Sequence, residues 1–311
     1  MSINKKLLIV LLILVALAIA AFLAISHSGK YQAQALKKEA STVAHNANTQ
    51  LPYTFLNNII AQSGAGCSVY YKSLSTNQIF YNYSGKMPAA GMIKVFIMAK
   101  AMDDLQAGIY KNTDEYTLRE DDFVEGSPAL QNEKPGIKLT FGALLEKMIV
   151  ANDNTATNML IDILGMDNIN KYIQDKGYAD TVLLRKMMDY NAQKEGKENY
   201  TSVNDLVTIF EKIYRGKCVS FGYDKQMLQF LQKVQGKNKI PALLPKNVVV
   251  AHMEGDLPGV QNDCGIVYAK EKYILAIMTD SSIDKAKTLK TINQISSIIY
   301  NSVVDKEVFK K

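Results

Sequence analysis

Pro88-Ala89-Ala90-Gly91-Met92-Ile93-Lys94 leads into residues 92–105, a run that is apolar on nearly every side. A helix of that character belongs in the middle of a fold, covered all round. Positions 91 and 94 share one helix face. A hydroxyl at the first would stand beside Lys94, which could take its proton and make the oxygen a nucleophile. The residue present is Gly91, which has nothing to attack with. The stretch therefore raises two questions: what surrounds the helix, and whether the chain is an enzyme.

Upstream, residues 51–62 have helical spacing. Gly64 and Gly66 break it, and residues 67–71 and 78–83 read as two strands joined by a turn at Ser73-Leu74-Ser75-Thr76-Asn77. Downstream the signals stay helical, over 140–150, over 155–164 with Gly165 as a stop, and from Ser202 with Asp205 in a capping-box-like start that runs to Gly216. The period then changes again. Residues 248–252, 265–269 and 273–279 are short β-branched and aromatic runs, and 283–303 form an amphipathic helix. Two strands before the helical segment and three after it predict an α/β (α+β) fold. Its five-stranded antiparallel sheet carries the terminal helices, an all-helical lobe at about 89–216 is inserted between the strands, and a cleft lies where the lobes meet. There is no internal repeat.

The N-terminus is of another kind. Lys5 and Lys6 precede an unbroken apolar run over 7–25, about the length that crosses a bilayer as a helix. The run is longer than the usual core of a signal peptide, so residues 1–25 read as an anchor with the lysines on the cytoplasmic side. Ala18-Ile19-Ala20 keeps a cleaved signal, and a secreted product, as the alternative. Residues 26–50 form a polar stalk, and 51–311 the folded domain. The net charge of +6 is concentrated at this end. Five lysines (5, 6, 30, 37, 38) face Glu39 alone in residues 1–50, which leaves 31 basic and 29 acidic groups beyond. A domain that close to neutral gives no support for nucleic-acid binding. Cys67, Cys218 and Cys264 are too widely spaced for a metal or redox motif. They read as buried small residues, with one disulfide and a leftover thiol as the alternative.

The order of elements and three spaced signatures resemble the class A β-lactamase and penicillin-binding transpeptidase superfamily, whose fold is the serine β-lactamase-like fold. The resemblance covers residues 51–303. In that superfamily a serine and a lysine open the buried helix, a Ser-Asp-Asn turn faces them, and a Lys-Thr-Gly strand closes the site. The first signature stands here as Gly91-Met92-Ile93-Lys94, so the resemblance implies a nucleophile at a position that holds glycine. The second is Asn152-Asp153-Asn154: Asn154 resembles the asparagine that bonds the substrate amide, and Asn152 replaces a proton-relaying serine, a task an amide cannot perform. The third is His252-Met253-Glu254-Gly255, followed by Asp256. Here Met253 and Glu254 remove the carboxylate-binding cation and hydroxyl and add an anion. Two charges about 4 Å apart at an effective dielectric near 20 interact by roughly 4 kcal/mol, so the exchange disfavours the superfamily's carboxylate substrates. Residues 184–191 resemble the loop that carries the deacylating glutamate. That position falls at Met187, and Asp189 is the one acid nearby.

Other nucleophiles fare worse. Ser282-Ile283-Asp284-Lys285 has the Ser-x-x-Lys spacing but sits at the start of the last helix, where Ser282 reads as a cap. Ser127 falls where the resemblance puts the cleft rim, with no base spaced to activate it. Of the three histidines, His27 and His45 lie in the stalk, which leaves only His252 in the domain and no Ser-His-Asp set. The vestigial site is therefore Gly91, Lys94, Asn152, Asn154, Glu254 and Gly255, with Asn154, Ser127 and Asp256 as ligand contacts and no metal or cofactor. Loss of the nucleophile from such a site costs about a million-fold in turnover. The expectation is a membrane-anchored, extracytoplasmic, non-catalytic member of the fold that binds a cell-wall peptide or an envelope protein. The alternative is an active serine hydrolase or β-lactamase with altered chemistry. One geometric expectation follows: Lys94, deprived of its partner, pairs with Glu254 across the cleft, directly or through water.

Overall fold

The computed structural model describes residues 51–82 and 85–304. The expected anchor and stalk, residues 1–50, lie outside the described residues. No helix among those described is long and apolar enough to cross a membrane.

Helix α1 (Tyr53–Ala61) leads into strands β1 (Gly66–Ser73) and β2 (Ile79–Asn82). Short strand β3 (Met87–Pro88) then delivers the chain to a 3-10 turn at Ala90–Met92 and to α2 (Ile93–Gln106). The helical lobe continues with β4 (Glu115–Thr117), β5 (Lys138–Thr140), α3 (Phe141–Val150), α4 (Asn154–Leu164), α5 (Met166–Asp175), α6 (Tyr190–Lys194), β6 (Tyr200–Thr201), α7 (Val203–Tyr214) and α8 (Phe221–Gln232). Strands β7 (Val250–Leu257), β8 (Val260–Val267) and β9 (Tyr273–Asp280) and helix α9 (Lys285–Val304) complete it. The main sheet has five strands in the order β2-β1-β9-β8-β7, all antiparallel. Strand β3 pairs with β6, and β4 with β5.

Local chemistry explains most boundaries. Thr140, Asp153 and Ser202 cap α3, α4 and α7, their side chains accepting from Ala143 N, Ala156 N and Asp205 N. Gly165, with φ +80°, stops α4. Helix α2 buries 11 of its 14 residues, as its unbroken apolar surface requires. Its side chains join one core with the inner face of the sheet, and a second core fills the space between the outer face and α1 and α9. Covered on both faces, β9 buries seven of its eight residues. Such a strand reads as continuous apolar sequence without alternation.

Several boundaries differ from the sequence reading, and β7, expected over 248–252, runs on to Leu257. Strand β8 begins at Val260 and contains Gln261, Asn262 and Asp263, polar residues that suggest a loop, yet every residue of it is buried. Tertiary partners make this possible. Asn262 Nδ2 donates to Pro88 O at 2.9 Å, its Oδ1 accepts from Thr279 N at 3.0 Å, and Asp263 Oδ2 accepts from Ile240 N at 2.9 Å. Helix α8 extends the helical segment past Gly216. At α9 the cap is Asp284, whose Oδ1 accepts from Lys287 N at 3.0 Å, whereas the Ser282 hydroxyl bonds Asp284 O and Thr288 Oγ1. The cysteines are free and buried, with no disulfide among them.

Candidate active site

Lys94 projects from the first turn of α2 and is 1% exposed. Its ammonium donates to Asn152 O at 2.7 Å, Asn152 Oδ1 at 2.6 Å and Asn154 Oδ1 at 2.9 Å. Three donors meet three acceptors, and the inventory of an ammonium is exhausted. Asn152 is bent into this bracket with φ +56°, a conformation that costs a non-glycine residue energy. Burial lowers the Lys94 pKa to about 7, against the Asp153 carboxylate, which raises it. Asn154 is committed as well: its Nδ2 donates to Glu125 O at 2.9 Å, which leaves one N–H of that amide for a ligand.

The expected ion pair between Lys94 and Glu254 is not formed. Lys94 has no donor left for a carboxylate or for a bridging water, and Glu254 pairs elsewhere. Its Oε2 lies 3.4 Å from the Nζ of Lys239, which also donates to Asp256 Oδ2 at 2.8 Å. Lys239 is fully buried. The two carboxylates together with Asp263 raise its pKa and outweigh the opposing effect of burial. The anion introduced at Glu254 is therefore neutralised from the outer side of β7. A Cβ at Gly236 would fall inside the Glu254 carboxylate, so a larger residue there would displace that side chain from its place beside Lys239. Met253, on the opposite face of the strand, is buried in the inner core. His252 is also buried, with Nδ1 at 2.9 Å from Asp263 Oδ1, so it belongs to the strand packing.

The place of a nucleophile is filled. An ideal Cβ at Gly91 would stand 2.6 Å from Glu254 O, 3.2 Å from Asn152 Oδ1 and 3.2 Å from Gly255 Cα. One at Gly255 would stand 2.5 Å from Gly91 N and 2.9 Å from Ala90 Cβ. The backbones of β7 and of the turn before α2 touch through two glycines, and Ala90 adopts φ +48° to bring the turn there.

The remaining wall is the segment after α5. Asn158 holds the backbone of Met187 from both sides, its Oδ1 accepting from Met187 N at 2.8 Å and its Nδ2 donating to Met187 O at 3.0 Å. Arg185 forms a bidentate pair with Glu198, at 3.0 and 2.9 Å. Asn199 Oδ1 accepts from Leu184 N and Arg185 N. Asp189 caps α6 through Ala192 N at 3.0 Å, which gives it a structural role. Ser127 does not present a group to the cleft: it is 1% exposed, and its hydroxyl donates to Val124 O and bonds Thr155 Oγ1.

Between these walls lies a cleft of about 170 Å³ that gathers Gly91, Lys94, Asn152, Asn154, Arg185 and Asp256, with Met187, Met188 and Leu257 as apolar lining. None of its lining residues carries a hydroxyl, thiol or imidazole. Gly255 lies outside that lining, with its backbone against Gly91, and the Glu254 side chain turns away to Lys239. The sequence reading missed Lys239, Glu198, Asn199 and Asn158. The sequence reading assigned Glu254 to Lys94, and nothing in the run Gln235-Gly236-Lys237-Asn238-Lys239 marks Lys239 as its partner instead.

Comparison with known proteins agrees with this fold. The description "Beta-lactamase enzyme family" matches residues 52–303. Beta-lactamase VEB-1 of Pseudomonas aeruginosa is 21% identical over 286 residues, 85% of this chain and 94% of that protein. A beta-lactamase from Sphaerobacter thermophilus superimposes with TM-score 0.74 at 25% identity, covering 80% of this chain and 97% of the other. A mutant of PBP-A, solved as an acyl-enzyme complex with penicillin G, superimposes with TM-score 0.75 at 27% identity over 82% and 96%. Fold, lysine-bearing central helix and matched span lead to one conclusion: this chain belongs to the beta-lactamase enzyme family.

Proposed function

We propose that this protein is a non-catalytic member of its family, held on the extracytoplasmic face by its N-terminal apolar segment, and that its cleft binds a component of the cell envelope. One observation carries the reading: no residue lining the cleft offers an oxygen or sulfur nucleophile of the acyl-transfer kind, and the space at position 91 is taken by the backbone of β7. Lys94 supports it, because its ammonium is saturated by Asn152 and Asn154 and holds the two walls together. A base with no proton to take performs no acyl transfer. The exported location rests on Lys5, Lys6 and the apolar run over 7–25.

The test is labelling of the purified full-length chain with a fluorescent penicillin. The expected result is no covalent adduct on the unmodified protein or on Gly91→Ser. An adduct on the unmodified protein would overturn the proposal.

A further inference from the structure

Two of the three partners of Lys94 are side-chain amides, which are themselves acyl groups. At Asn152 the Nζ to Oδ1 distance of 2.6 Å puts the amide carbon within about 4 Å of the lysine nitrogen. Reacting atoms held about 3–3.5 Å apart are poised for attack, so a small turn of the amide closes the gap. Burial lowers the Lys94 pKa to about 7, and near neutral pH a large share of the chains carries the free amine, the nucleophilic form. Its geometry is set by the same bracket. When the proton shared with Asn152 Oδ1 leaves, the other two N–H bonds stay on Asn152 O and Asn154 Oδ1, and the lone pair faces the Asn152 amide.

The two amides differ as reaction partners. Asn154 is pinned, because its Nδ2 donates to Glu125 O at 2.9 Å. Asn152 Nδ2 has no hydrogen-bond partner among the described residues, and the residue lines the cleft. That amide is free to turn about χ2 and present its face, and its nitrogen has an exit. Gly91 supplies the room. Asn152 Oδ1 lies 3.2 Å from the place of a Cβ at 91, so a side chain there would crowd the amide against Lys94.

We propose that Lys94 and Asn152 join in an intramolecular isopeptide bond. The Nζ–Cγ bond forms and the Cγ–Nδ2 bond breaks. One proton passes from Nζ to the departing nitrogen, which leaves through the cleft as ammonia, and the balance needs no oxidant or co-reactant. The structure shows the reactant pair. Its product ties the first turn of α2 to the turn before α4, 58 positions along the chain. A cross-link of that span restricts the unfolded chain as a disulfide does, in a protein whose cysteines are free. Amides resist attack by amines, so conversion is slow on the time scale of an unfolding titration. The inference is independent of what the cleft binds.

The test is intact mass and tryptic mapping of the full-length chain in detergent, as purified and during incubation at pH 6 and pH 8. The expected product is lighter by one ammonia, is no longer cut by trypsin after Lys94, and yields a branched peptide joining residue 94 to residue 152. Conversion of the remaining chain should be about tenfold faster at pH 8 than at pH 6, as the amine form grows in that proportion. Asn152→Gly removes the electrophile and suits the φ of +56° at that position, so it folds and should keep its full mass. No loss of ammonia, a loss that persists in Asn152→Gly, or a loss confined to residues 152 and 153, as an imide closed on the Asp153 backbone nitrogen would give, would each overturn the proposal. Fluorescent penicillin reports separately, since an adduct overturns the non-catalytic reading and leaves the branched peptide to decide this one.

Discussion

Putting the nucleophile back, Gly91→Ser, tests whether position 91 is a vacancy or a contact. The backbone at 91 has no positive φ, so a side chain is conformationally allowed there. The obstacle is β7. A Cβ would sit 2.6 Å from Glu254 O, whereas ordinary contact begins at 3.4 Å, so the strand must retreat by the difference or the turn must shift. Retreat is resisted from both sides of β7. Ladder bonds to β8 run from Val250 to Leu257, and Glu254 is tied to Lys239. Overpacking of this kind costs about 1–3 kcal/mol, and for a domain of this size that is a fall in Tm of about 2–12 °C. Thermal unfolding is compared for the wild type, Gly91→Ser and Gly91→Ala. Both variants should fall by similar amounts, because the penalty belongs to Cβ and not to the hydroxyl. An unchanged or raised Tm in both would refute the contact. Penicillin acylation of Gly91→Ser, a reaction that needs the same space, would refute it independently.

Lys94→Met strips the donors from Asn152 O, Asn152 Oδ1 and Asn154 Oδ1, at a cost of about 2–4 kcal/mol near pH 7. The folded pKa of Lys94, about 7, lies below its ordinary 10.5. Between those values the unfolded chain binds the extra proton, and the stability this group contributes rises with pH. Denaturant titrations at pH 7 and pH 9.5 should therefore show the gap between wild type and Lys94→Met widening, and a gap that narrows contradicts the assignment. Lys239→Met leaves Glu254 and Asp256 together without their buried cation and should cost about 3 kcal/mol. Adding Glu254→Gln to Lys239→Met should recover part of that loss; strict additivity in the double-mutant cycle would rule out the pairing. Burial pushes the thiols of Cys67 and Cys218 up to about 12, so a thiol reagent at pH 8 should label the native protein slowly and all three cysteines after denaturation.

Much of the framework was legible because it rests on local signals. The capping start at Ser202, the stop at Gly165 and the unbroken apolar surface of α2 are short-range features, and each produced its element. The polar strand β8 was not legible, since Gln261, Asn262 and Asp263 are tolerated inside a sheet only when partners from Pro88, Ile240 and Thr279 arrive from elsewhere in the chain. The same holds for the partner of Glu254, which the sequence reading placed at Lys94 and the folded chain places at Lys239.

Gly91, Asn152, Met253 and Glu254 could be read in the sequence as losses, because absent side chains are absent in any conformation. What replaced them depended on tertiary structure. Lys94 turned from a base into a tie between two asparagines, and Gly91 from a missing nucleophile into one half of a backbone contact with Gly255. Identity sets which groups exist, but only the packing of elements distant in sequence sets which of them meet, and here the closest approach joins residues with no side chain to signal it.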